Sequence, residues 1–146
     1  MSRFALNFIG FLLLTGDLSG IDFKALLQRA ERGDVEAQYR LAEMYAEAQG
    51  VDQDYAKAVE WYQKAADQGN AIAQSNLGVM YEKGQGIAYD LGEAFKWYRL
   101  AADQGYGLAQ RALGFFYETQ EFSGSKDYIS AYMWYSMASD QGDQVA

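Results

Sequence analysis

A repeat of 36 residues constrains the fold of this chain more than any other feature. The pair Ala37-Gln38 recurs as Ala73-Gln74 and again as Ala109-Gln110, in steps of 36 residues. The third copy is one residue longer, within the polar stretch "ETQEFSGSKD". A fixed period of this length is typical of supersecondary units that stack on one another. We therefore expect several copies of one unit rather than a single irregular core.

Apolar residues inside each copy recur at helical spacing. In the first copy, Ala37, Leu41 and Met44 lie three or four residues apart and so share one face of a first helix. Ala58 and Trp61 do the same for a second helix. Glycine-containing polar stretches separate the two helices. The predicted fold class is therefore all-α: an α-solenoid of stacked helix-turn-helix repeats.

The predicted helix ends divide the chain into units. Asp54, Asp90 and Asp127 are predicted to cap the second helices with a side-chain oxygen. Glycines between the two helices are predicted to end each first helix in a left-handed conformation. The predicted ends of the second helices are Gly33, Gly69, Gly105 and Gly142. The resulting division is an apolar N-terminal segment at 1–20, a half-repeat helix at 21–33, repeats at 34–69, 70–105 and 106–142, and a tail at 143–146.

The pattern "AQxxLGxMYxxGxGxxxDxxxAxxWYxxAAxxG" resembles the signature of the Sel-one-like repeats, relatives of the tetratricopeptide repeat. It covers the chain from about Ala30 to Gly142. Ala42 replaces the usual glycine in the first copy, and the third copy has "SGS" in place of its "GxG" turn, so turn geometry is expected to loosen there. The resemblance implies a right-handed, tetratricopeptide-like superhelix that acts as an adaptor, often bacterial and often exported or envelope-associated. It implies no particular partner.

Composition argues against most catalytic chemistry. The chain has no cysteine and no histidine, which removes a thiolate nucleophile, the commonest general base and the commonest transition-metal ligands. Its net charge of −8 opposes binding to phosphate backbones and anionic membranes. We therefore expect no catalytic residues, no metal, no cofactor and no nucleic-acid partner.

Function is expected at positions that the repeat does not dictate, on one face of the first helices, predicted to line the concave side of the solenoid. The candidate partner-binding residues are Tyr39, Arg40 and Glu43 in the first copy, Ile72, Asn76 and Val79 in the second, and Leu108, Arg111 and Phe115 in the third. The wider face includes Glu36, Glu47, Ser75, Lys83, Ala112 and Thr119. Its apolar members would anchor a helix or an extended peptide, and its arginines would bind carboxylates. The alternative is that Val79 and Phe115 only pack inside the superhelix.

The predicted function is a non-enzymatic scaffold that binds a partner protein or peptide on the concave face. One alternative, by family analogy alone, is a hydrolase acting on cell-wall or β-lactam substrates. Another is a structural repeat protein that associates with itself. An activity assay would distinguish the hydrolase from the scaffold. The oligomeric state would distinguish the self-associating repeat protein from it.

The two ends of the chain carry further expectations. The apolar stretch Phe4–Leu14 is too short to span a bilayer and follows Arg3, so residues 1–20 fit either a secretory signal peptide or a capping helix. The first predicts a periplasmic or secreted protein, and the second a cytoplasmic one. At the other end no polar capping helix follows Ser139. Tyr132, Met133 and Met137 then form an uncovered edge for self-association, unless the final helix tilts inward or the chain is simply cut short there.

Overall fold

The computed structural model describes residues 23–119 and 126–142, with side chains through residue 140 in the second range. These residues form seven helices and no strand. The helices are α1 (Phe23–Glu31), α2 (Val35–Glu47), α3 (Tyr55–Asp67), α4 (Ala71–Lys83), α5 (Leu91–Asp103), α6 (Gly107–Thr119) and α7 (Tyr128–Gly142). The N-terminal segment 1–20, most of the inserted stretch and the tail 143–146 lie outside the described residues. No described helix is long and apolar enough to cross a membrane.

Substantial packing occurs between helices that are consecutive in the chain, from α1 against α2 through to α6 against α7. Packing between sequential helices is the arrangement of a helical solenoid, so the predicted all-α solenoid fold is confirmed. We call α2–α3, α4–α5 and α6–α7 the first, second and third units. In each unit the first-named helix is the first helix.

The predicted caps of the second helices are confirmed. Asp54, Asp90 and Asp127 each accept a hydrogen bond of 3.0 Å from the backbone amide three residues further on. Hydrogen bonds from the hydroxyl and the amide of Ser130 lower the pKa of Asp127, because they stabilise its charged form. Each cap satisfies an amide that the first turn of a helix leaves without a partner.

Residues with a left-handed backbone conformation follow the helices, as predicted, except that one of them is an alanine. Gly33, Gly69 and Gly105 follow α1, α3 and α5 with φ of 94°, 90° and 88°. Gly84 ends α4 with φ 63°, but α2 ends at Ala48 with φ 56° rather than at a glycine. One alanine therefore tolerates the conformation that glycine normally takes.

The core repeats with the same period as the sequence. Leu41, Leu77 and Leu113 are fully buried at equivalent positions. Small alanines beside them allow the helix backbones to approach closely, as at Ala58 and Ala94, which are also fully buried.

A row of buried glutamines joins neighbouring units. The Nε2 atoms of Gln38, Gln74 and Gln110 donate to carbonyl oxygens of the preceding helix at 3.0, 3.1 and 3.3 Å. The Nε2 atoms of Gln68 and Gln104 donate to the Oε1 atoms of Gln38 and Gln74, at 2.8 Å in both cases. The equivalent donor for Gln110 is Gln141, whose side chain lies outside the described residues. The glutamine of the "AQ" pair is therefore a structural residue that satisfies buried polar groups between units.

Candidate partner-binding surface

The nine candidate residues lie on first helices, and we call them the first-helix face. Arg40, Ile72, Leu108, Arg111 and Phe115 are exposed, with 54% of Leu108 and 50% of Phe115 accessible to solvent. Tyr39, Glu43, Asn76 and Val79 are half-buried. The expectation for Ser75, in the wider set, was wrong, because only 5% of it is exposed. Ser75 lies in the middle unit with another unit on each side, whereas its equivalent Arg111 lies in the last unit and stays exposed.

Two tyrosines form the polar part of this face. The hydroxyl of Tyr39 donates to the carboxylate of Glu43, one turn further along α2. The rings of Tyr39 and Tyr62 lie 6.2 Å apart at 46°. Tyr62 also shares a hydrogen bond with the side chain of Asn76 on α4. This network joins the first unit to the second and holds Glu43 in place.

Burial is the main cause of the raised pKa of both Tyr39 and Tyr62, and the negative charge of Glu43 adds to it. The phenol of Tyr106, at the start of the third unit, also raises the pKa of Tyr39. Side chains from the first and third units therefore lie near enough to influence one another.

These raised pKa values give a testable pH dependence. An unfolded tyrosine ionises near pH 10, whereas folded Tyr39 and Tyr62 keep their protons at that pH. Their contribution to stability is therefore complete below pH 10 and is lost as the pH rises above it. In a spectrophotometric titration, Tyr39→Phe should leave the tyrosinate absorbance that develops near pH 10 unchanged and should remove amplitude only at higher pH. A loss of amplitude near pH 10 in this variant would show that Tyr39 ionises normally.

Residues of the first-helix face contribute to two clefts on the surface. The first, of about 150 Å³, lies between the first two units and has Tyr62, Asn76 and Val79 in its walls. The second, of about 600 Å³, lies between α6 and α7 with Leu108, Arg111 and Tyr135 in its walls. The face residues of the second and third units therefore contribute to different clefts.

The larger cleft occupies the position where the next unit of a solenoid would pack. In the second unit, Ser75 and Tyr98 are buried, but their equivalents Arg111 and Tyr135 in the third unit are exposed. Val79 likewise packs against the core cluster that α5 and α6 form together, while its equivalent Phe115 is exposed. The alternative of packing inside the superhelix therefore holds for Val79 and not for Phe115.

The repeat pattern did not predict that the side chain of Tyr62 bonds to a different partner from its equivalents in the other units. In the second and third units, the equivalent tyrosines Tyr98 and Tyr135 lie over Gly78 and Gly114. Their hydroxyls donate to Glu82 at 2.6 Å and to Glu118 at 2.9 Å. The first unit has Ala42 and Ala46 at the glycine and glutamate positions, and its tyrosine bonds to Asn76 instead.

Ala42 does not loosen a turn, as the sequence suggested, because it is fully buried inside α2. The departure from the repeat signature was therefore the signal for a redirected tyrosine on the first-helix face.

Consecutive helix pairs and a repeating buried core define a helical-repeat solenoid. The chain belongs to the Sel1 repeat family, whose model matches residues 35–70, 71–106 and 107–143. Proteins of this family generally mediate protein–protein interactions, and the fold is typically a non-catalytic scaffold.

Among the solved structures that are similar to this chain are two bacterial proteins. A protective antigen of uropathogenic Escherichia coli that displays an SLR fold is 46% identical, with a TM-score of 0.74 over 80% of this chain and 25% of that one. A Sel1 repeat protein from Oxalobacter formigenes is 38% identical, with a TM-score of 0.73 over 83% of this chain and 90% of that one. The chain thus spans about a quarter of the length of the Escherichia coli antigen. A comparison with functionally curated proteins gave no match.

Proposed function

We propose that this chain is a non-enzymatic scaffold that binds a partner protein or peptide on the first-helix face. The observation that carries the proposal is the exposure of Leu108 and Phe115 beside Arg111 on α6. Exposed aromatic and arginine side chains are enriched at the energetic centres of protein interfaces.

The face changes character along the chain, and this sets the chemistry of the partner. The first unit contributes the carboxylates of Glu36, Glu43 and Glu47, and the third contributes Leu108 and Phe115. An amphipathic helix with a basic end and an apolar end matches this order, with its basic end on the first unit. The net charge of −8 would favour the approach of such a partner over long range.

Arg40 and Arg111 would bind carboxylates of the partner at the two ends of the face. Arg40 already pairs with Glu36 at 3.0 Å, and both side chains are exposed. An exposed pair of this kind contributes little to stability. Arg40 could therefore leave Glu36 and pair with a carboxylate of the partner at little cost to the stability of the fold.

The test compares binding by matched surface variants. Leu108→Ser and Phe115→Ser should each weaken binding of a captured partner about tenfold, because each removes an apolar anchor. Leu100→Ser is the control, since Leu100 is a similarly exposed leucine on a second helix, α5. Affinity is measured by titration calorimetry with the captured partner. Equal weakening by the control variant, or no effect of Phe115→Ser, would show that another surface binds the partner.

No structural observation favours the hydrolase alternative. In the part of the chain that the structure describes, no cluster of acidic side chains is arranged to hold a metal ion. The carboxylates of Glu36, Glu43 and Glu47 already accept hydrogen bonds from Arg40, Tyr39 and Gln49, respectively.

A further inference from the structure

The smaller of the two clefts lies where the first unit departs from the repeat. At the position of Ala46, the second and third units have Glu82 and Glu118, whose carboxylates accept a hydrogen bond from a tyrosine hydroxyl. An alanine side chain ends at its β-carbon, so the space that a glutamate would take stays open. Ala46 and Tyr62 both lie in the walls of this cleft. We call it the junction cleft, because it opens between the first and second units.

The junction cleft has the size of one amino-acid side chain. Its volume of about 150 Å³ equals that of about five water molecules, at about 30 Å³ each. Pockets that bind drug-sized ligands are larger, at about 300–1,000 Å³. A single long side chain of a bound partner would therefore fill the junction cleft, whereas a cofactor would not fit.

The walls of the junction cleft suit a side chain that is apolar along its length and cationic at its end. Tyr55 and Val79 provide aromatic and apolar surface. Among the described residues that line the cleft, only Glu47 is charged, and its side chain is exposed. Lysine and arginine pack their aliphatic stems on apolar surface and keep the charged group near water. Tyrosine rings also attract a cation.

The electrostatic potential in the junction cleft is negative. Burial is the main cause of the raised pKa of Tyr62, and the charges of Glu43 and Glu47 raise it further. Negative charges have this effect because they disfavour ionisation of the phenol. Within the described part of the chain, neither carboxylate forms an ion pair. A cation that enters the cleft would therefore meet negative charge that no other cation balances.

We propose that the junction cleft binds the side chain of one lysine or arginine of the partner, with its charged group beside Glu47 and its stem against Val79. This inference rests on the proposed function, because it gives the basic end of the partner a specific contact on the first unit. Ala42 and Ala46 replace the glycine and the glutamate that hold the equivalent tyrosines of the other units. The junction cleft is thus a feature of the first unit that the repeat itself does not require.

The first experiment measures binding of a single cationic side chain to the full chain, with N-acetyl-arginine amide as the probe. Backbone amide shifts are followed by NMR during the titration. We expect saturable shifts centred on Ala46, Asn76 and Val79, with a dissociation constant in the millimolar range. N-acetyl-citrulline amide has nearly the same shape without the charge, and it should bind about fivefold more weakly.

Two single variants test the role of the carboxylate. Glu47→Gln should weaken binding of the arginine probe about threefold to fivefold, because it removes the charge that lines the cleft. Glu60→Gln is the matched control, since Glu60 is an exposed glutamate on α3 that does not line the cleft. It should leave the dissociation constant unchanged.

The second experiment closes the junction cleft with the arrangement of the other units. The double variant Ala42→Gly with Ala46→Glu has the glycine and the glutamate that the other units have, so it should keep its fold. Tyr62 should then adopt the position of Tyr98. The variant adds a negative charge, yet it should abolish saturable binding of the arginine probe, because the new side chain fills the cleft. Charge alone predicts the opposite result. Circular dichroism checks the fold.

Several results would overturn the inference. Absence of saturable shifts at the junction cleft would show that it does not bind a cationic side chain. Equal binding of the two probes would show that charge is not recognised. Tighter binding by the double variant would show that negative charge attracts the probe without a cleft.

These outcomes are separate from the test of the proposed function, because Leu108 and Phe115 do not line the junction cleft. Partner binding that Phe115→Ser weakens, together with no binding of the probe, would overturn this inference alone. Binding of the probe in the cleft, together with no effect of Phe115→Ser on the partner, would support the cleft and overturn the placement of the partner on the third unit.

Discussion

Replacement of Gly86 by alanine should destabilise the fold more than any other small substitution in the second unit. A β-carbon at this position would lie 2.3 Å from the backbone carbonyl carbon and oxygen of Tyr55, and φ there is 70°. The neighbouring atoms belong to the backbone at the start of α3, so no side-chain rotation relieves the contact. We expect a loss of about 3 kcal/mol, from left-handed strain and from forced separation of the first two units.

Gly50→Ala is the matched control for this prediction. Gly50 is the equivalent residue of the first unit, with φ of 73°, but its added β-carbon would meet only the end of Met44 at 3.9 Å. The control shares the backbone strain and lacks the collision, so its loss should be about 1 kcal/mol. Urea denaturation of both variants measures the difference. Equal losses would mean that the loop containing Gly86 moves freely away from α3.

Replacement of Gly78 by alanine should cause the second largest loss of folding stability. Its added β-carbon would lie 2.9 Å from the buried ring of Tyr98, whose hydroxyl bonds to Glu82. Alanine is favoured over glycine inside a helix by about 1 kcal/mol. Overpacking a core costs about 1–3 kcal/mol, and displacing the ring also strains its hydrogen bond. We expect the collision to dominate, with a net loss of about 2 kcal/mol.

The first unit suggests how this loss can be recovered. Tyr62 coexists there with Ala42 because Asn76 offers it a different hydrogen bond. The residue that follows Asn76 by 36 positions is Ala112. Ala112→Asn should therefore restore part of the stability in the Gly78→Ala background and restore nothing in the wild type. Additive effects of the two substitutions in urea denaturation would show that Tyr98 cannot take the direction of Tyr62.

Local features of this fold could be predicted from the sequence, because they depend on nearby residues. The helix pairs follow from apolar spacing, and the caps at Asp54, Asp90 and Asp127 follow from the position of each aspartate before an apolar run. The left-handed end at Ala48 was not predicted, although the 36-residue period aligns Ala48 with Gly84, because glycine is the usual residue in this conformation. Two hydrogen bonds stabilise the left-handed conformation of Ala48, because the backbone amides of Ala48 and Gln49 both donate to the carbonyl oxygen of Met44.

The candidate surface could be predicted only in outline. Helical spacing places Leu108, Arg111 and Phe115 on one face of α6, and the structure exposes all three. Ser75 has the same helical phase as Arg111 and is buried, because exposure depends on the units to either side. The link from Tyr62 to Asn76 likewise depends on a contact between units. Period and spacing within one unit carry no information about such contacts.

The glutamine row has a consequence for how proteins of this kind change length. Donor and acceptor in the bond from Gln68 to Gln38 occupy fixed positions of the repeat, and the bond from Gln104 to Gln74 uses the same positions. Each unit therefore carries both partners of this bond, so duplicating a whole unit in the gene supplies a complete bond with no further mutation. Deleting a whole unit preserves the match in the same way. A duplication of only part of a unit would supply one partner of this bond without the other, so selection should favour growth and loss in whole units.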